Sequence, residues 1–183
     1  MKTSACAVCV LLLIVVTTAG PPAAAMPDKE YLTPKEIEQI QDAQEIEKRV
    51  KIYMDAASLR LRRAEERLSG KETPPDDPFE FFSVEDMLEG YYRIFRSVMM
   101  ILDDAFQKPG TDKLILGKAL KNLKDTTEKA EKELAALKKT AEDKRLEEVW
   151  NLVNKDIDIT AGALEGAQQG LSSLPAPPKK KGK

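Results

Sequence analysis

From Leu116 to Ala141 the apolar and small residues recur in a four–three alternation: Leu116, Leu120, Leu123, Thr127, Ala130, Leu134, Leu137, Ala141. That rhythm gathers side chains on one stripe of an α-helix and would scatter them over both faces of a strand. It is also the heptad spacing with which helices pack along a seam, as in coiled coils. A chain built on it has to bury that stripe against other helices.

The same period runs through most of the chain. Thr33-Pro34-Lys35-Glu36 reads as a helix start, with Thr33 as cap, Pro34 at the first helical position and Glu36 closing a capping box. Apolar positions follow from Ile37 to Leu68, and Gly70 supplies a stop. One helix over 34–69, about 50 Å long, is the expectation. Residues 70–82 hold three prolines and paired aspartates and read as a loop. Ser83 and Asp86 form a second capping box, with Phe82 and Met87 placed as a hydrophobic staple, and open a helix over 84–107 that Pro109-Gly110 ends. A third helix is expected over 112–140. A break near Thr140–Lys144, capped by Thr140 or Asp143, leads to a fourth over 144–170. No stretch alternates as a strand does. The expected fold is all-α, an antiparallel four-helix bundle spanning 33–171, with short connections making neighbours antiparallel.

The two ends read differently. Cys6-Ala-Val-Cys9 has the spacing of a redox dithiol, but it lies in an uncharged run, Ala5–Val16, that follows Lys2 and precedes Ala23-Ala24-Ala25. These are the parts of a secretory signal peptide, and the run is short for a membrane span. Residues 1–25 are therefore expected to be cleaved, leaving a flexible segment 26–32 and no transmembrane span in the mature chain. The product would be exported, to the periplasm or the extracellular space. Residues 172–183, SSLPAPPKKKGK, read as a disordered basic tail, foremost a solubilising extension, with weak contact to an anionic surface as the alternative.

Chemistry is scarce. The chain has no histidine, and both its cysteines lie in the leader. The usual ligands for zinc, haem and copper are missing after cleavage, as is the base of a hydrolytic triad. No catalytic, cofactor or metal residue is assigned, and a non-enzymatic role is expected. With 29 basic against 31 acidic residues and no basic face, nucleic-acid binding has little support. A carboxylate-based enzyme would need a placed acid pair that the sequence does not mark.

The helix over 84–107 carries two apolar seams. Val84, Met87, Tyr91, Ile94, Val98, Ile101 and Ala105 form one. Leu88, Tyr92, Phe95, Met99, Leu102 and Phe106 form the other, and are the candidate protein-interaction residues, facing an unknown partner or a second copy in a homodimer. The competing reading is that both seams serve the chain's own core. Gly162, Gly166 and Gly170, four apart, suggest close helix approach or a frayed end. The arginines at 60, 62, 63 and 67 read as a solvated surface. Leu32-Thr33-Pro34-Lys35-Glu36 resembles the Leu-Thr-x-x-Gln motif of helical periplasmic stress chaperones, with Glu36 in place of Gln; the capping box accounts for the same residues. A separate alternative is a holdase-like chaperone, with the aromatic, Met-rich stretch 79–106 as its client surface.

Overall fold

The computed structural model describes residues 30–175. Within them the chain is all-helical, with no strand and no helix long and apolar enough to cross a membrane. Five helices form, not four: α1 Pro34–Asp42, α2 Ile46–Leu68, α3 Val84–Gln107, α4 Lys113–Asp143 and α5 Glu147–Ser173. The expected leader 1–25 and residues 176–183 of the expected tail lie outside the described residues. Of that tail, Ser172 and Ser173 belong to α5.

The expected helix 34–69 is corrected to two. The chain leaves the helix at Ala43, which takes an extended conformation while its N–H still reaches Gln39. Arg49 donates to the freed Ala43 carbonyl at 3.0 Å. No proline or glycine marks this break, and its cause is tertiary. Arg60 grips Glu36 through both terminal nitrogens, at 2.5 and 2.7 Å across 24 residues. In one straight helix those residues would stand about 36 Å apart. The Thr33–Glu36 capping box forms as expected, so Glu36 serves the helix start and the ion pair together. Tyr31, expected in a flexible segment, gives its carbonyl to Arg60 and its hydroxyl to Ser97.

The other boundaries follow local chemistry. Ser83 and Asp86 bond each other's backbone N–H to open α3, and Asp112 caps α4 through Leu114 and Ile115. α2 ends with Gly70 in the left-handed region, its N–H bonding Arg67 while that of Lys71 bonds Glu66. α4 ends the same way, but with Arg145 in the glycine position: Arg145 bonds Glu142, and Leu146 bonds Ala141. The expected caps at Thr140 or Asp143 are corrected, since both residues are still helical and the N-cap of α5 is Leu146, whose side chain makes no capping hydrogen bond.

The four long helices pack in a ring in the order α2–α3–α5–α4, with α1 against α2. Arg60 beside Gly90 runs α2 antiparallel to α3, and Gly170 against Leu120 does the same for α5 and α4. Glu89–Lys155 and Phe106–Gly170 make α3 and α5 parallel, as Glu47–Lys118 and Leu68–Lys144 do for α2 and α4. The short 108–112 link therefore joins α3 and α4 across the diagonal rather than as the expected antiparallel neighbours. The inner stripes form one core, from Val50, Met54 and Leu61 through Met87, Ile94 and Phe95 to Leu116, Leu134 and Val153, closed by Ala167. Each such large side chain contributes about 1.5–3 kcal/mol by leaving water.

Candidate functional site

Helix α3 fills two flanks, which is why its apolar arc is wide. The first seam, Met87, Tyr91, Ile94 and Val98, is buried. Of the six candidate interaction residues, Leu88, Phe95 and Leu102 are buried too, and Tyr91 and Phe95 stack at 4.5 Å between centroids. That part of the expected surface is corrected: these three are interior because α2 and α5 both pack on α3. Tyr92, Met99 and Phe106 are half-buried and do reach the surface.

Those three sit along the groove between α3 and the parallel α5. The Lys155 ammonium lies 3.8 Å from the centre of the Tyr92 ring and pairs with Glu89 at 3.0 Å, tying the two helices at one end. Lys113 stands 5.7 Å over Phe106 at the other. Between them Met99, Leu102 and Phe106 meet Gly162 and Gly166 around a shallow cavity of about 70 Å³. The glycines divide by role. A Cβ on Gly170 would come within 3.0 Å of Leu120 and 3.2 Å of Phe106, so close helix approach is real there. Gly162 and Gly166 face open space, exposed, with nothing within 4 Å of a Cβ.

Behind this groove the core holds a polar cluster. Tyr91 and Thr160 share a hydrogen bond of 2.7 Å, and Thr160 also donates to the Asp156 carbonyl at 2.6 Å. Asp156 is 1% exposed, and its Oδ2 has no partner. Burial pushes its carboxyl up to about 9, against a smaller pull downward from Lys155 and a further push from Glu89. The same desolvation raises the Tyr91 phenol.

The arginines of α2 also differ from expectation. Only Arg62 is solvated. Arg60 is 2% exposed, fixed by Glu36 and by the carbonyls of Tyr31 and Ala56, with its guanidinium 4.7 Å over Phe79. Arg63 pairs with Glu66 and Asp77, and Arg67 donates to the Phe79 carbonyl. They hold the N-terminal segment and the 70–82 loop against α2. A cleft of about 610 Å³ opens beside them, floored by Ile52, Ala56, Leu59 and Phe79. Glu36, Arg63 and Asp77 on its rim spend their charges on protein partners. Sequence offered one clue to this network: Arg60 falls four residues after Ala56 and four before Ala64, on the stripe that is otherwise apolar. Among the described residues no three metal-binding side chains converge.

Compared with known protein families, with characterised proteins and with solved structures, the chain matches none.

Proposed function

We propose that this chain is an exported, non-enzymatic helical bundle that works by helix-face contact, and that the α3–α5 groove is the contact face. Its leader would be residues 1–25, and the mature chain would begin at Met26. The observation that carries the reading is the pairing of exposed Gly162 and Gly166 with half-buried Met99 and Phe106. A helix laid there meets only small residues of α5, Gly162, Ala163, Gly166 and Ala167, and finds adaptable apolar surface on α3. A second copy of the chain is the simplest partner.

Light scattering of residues 26–183 tests this. A dimer that Gly162→Gln with Gly166→Gln converts to folded monomers, checked by an unchanged circular-dichroism melt, supports the groove, since a Cβ at either position meets nothing within 4 Å. A monomer at all concentrations sinks self-association. The chaperone alternative draws on Phe81 and Met100, which are 82% and 67% exposed and lie within 79–106. It requires that the protein suppress aggregation of an unfolded client at stoichiometric amounts.

A further inference from the structure

The start of α4 runs beside the end of α5, and their outer corner holds an apolar groove of about 510 Å³. Leu114, Gly117, Leu171 and Leu174 form its floor, and a Cβ on Gly117 would stand 3.5 Å from Leu174. Leu114 is 56% exposed. Lys113, Lys118, Lys121 and Lys124 form the rim. Between Lys113 and Lys124 the chain has no carboxylate, and from Gly166 to Pro175 it has no charge at all.

The lysines are only loosely committed. Lys121 engages Asp125, the single carboxylate of the lining, at 2.5 Å. Lys118 meets Glu47 at 3.4 Å and Lys124 meets Glu128 at 3.2 Å. All three pairs are solvated, so each ammonium exchanges partners at little cost.

We propose that this corner docks on the surface of an anionic lipid bilayer, with Leu114 and Leu174 entering the headgroup region and the rim lysines meeting lipid phosphates. Charge complementarity selects this occupant. An apolar protein surface would strip water from four ammonium groups without replacing it. Lipid phosphates pair with them and stay hydrated, while the acyl boundary takes the leucines. In sequence, more cations follow: Lys179 comes four residues after Pro175, a reach of at most about 14 Å. Apart from Lys113, which also stands over Phe106, this corner shares no named residue with the α3–α5 groove.

The test is co-sedimentation of residues 26–183, which contain every core residue among the described residues, with vesicles of phosphatidylcholine alone or mixed equally with phosphatidylglycerol. Binding is expected to the anionic vesicles only and is lost at high salt. Leu114→Glu, with an unchanged circular-dichroism melt, should lower partitioning about ten-fold or more. Lys121→Gln with Lys124→Gln should lower it about twenty-five-fold. Equal binding to both vesicles, or to neither, overturns the proposal. So does binding that survives Leu114→Glu and vanishes on deleting 176–183, which would place it on the tail. Displacement by inorganic phosphate at matched ionic strength would assign the lysines to a free anion and overturn the bilayer.

Discussion

Asp156 holds its proton because the folded chain gives the charge nowhere to go: Oδ2 is buried without a donor, and Lys155 on the next position is turned toward Glu89 and Tyr92. The unfolded chain releases that proton above about pH 4. The folded chain keeps it until about pH 9. Its contribution to stability is thus fully present below pH 4 and is lost as pH rises toward 9, by at most about 1.4 kcal/mol per pH unit. Asp156→Asn should be more stable than the parent at pH 8 and similar to it at pH 4, read from urea midpoints. A steeper pH dependence in the variant would contradict this account. Arg145 gives a second residue-scale expectation. Its φ of 56° costs a side chain about 1 kcal/mol that glycine avoids, so Arg145→Gly should stabilise the chain by about that much. Gly166→Ala should also stabilise, by up to about 1 kcal/mol, because it meets nothing.

Among the elements, α1 stands apart. It buries no residue of its own, and the buried Arg60–Glu36 fork fastens it. Burial alone would raise the Glu36 carboxyl, yet the bonds from Arg60 and Thr33 outweigh it and hold it below its usual value. Glu36→Gln should therefore weaken the chain, and Arg60→Met should cost about 3 kcal/mol by leaving a half-desolvated carboxylate without its partner. The double substitution should recover part of that loss, and hydrogen exchange should show α1 amides opening first. Helix existence and type were legible wherever local chemistry decides them. Thr33, Ser83, Gly70 and the four–three leucines of α4 place their elements to within a few residues. The break at Ala43 was not legible, because it answers to Arg60, many residues on. Nor was the turn at Arg145, where the chain uses a glycine geometry without glycine. The candidate site was read in half: the second seam of α3 exists, but its division into interior Leu88, Phe95 and Leu102 and surface-reaching Tyr92, Met99 and Phe106 depends on where α5 lies.

For the whole molecule, the single tryptophan is a useful reporter. Trp150 lies at the α4–α5 turn with the Lys138 ammonium 5.3 Å from its ring, far from the 108–112 link. If the ring of helices unfolds as one unit, Trp150 fluorescence and circular dichroism share one denaturation curve. Separate midpoints would mean that the α4–α5 pair melts alone.

The diagonal link makes that pairing matter. The chain is two antiparallel helical hairpins, α2–α3 and α4–α5, joined by Lys108–Asp112 and docked through parallel contacts. If that linker straightens, the first hairpin of one molecule can dock on the second hairpin of another. The exchanged pair would rebuild the inter-hairpin contacts, so its interior costs nothing new. The closed linker places Gly110 at φ 87°, a conformation that glycine adopts without strain. Its replacement by a β-branched residue should favour the intertwined form, seen as a dimer that separates only on unfolding.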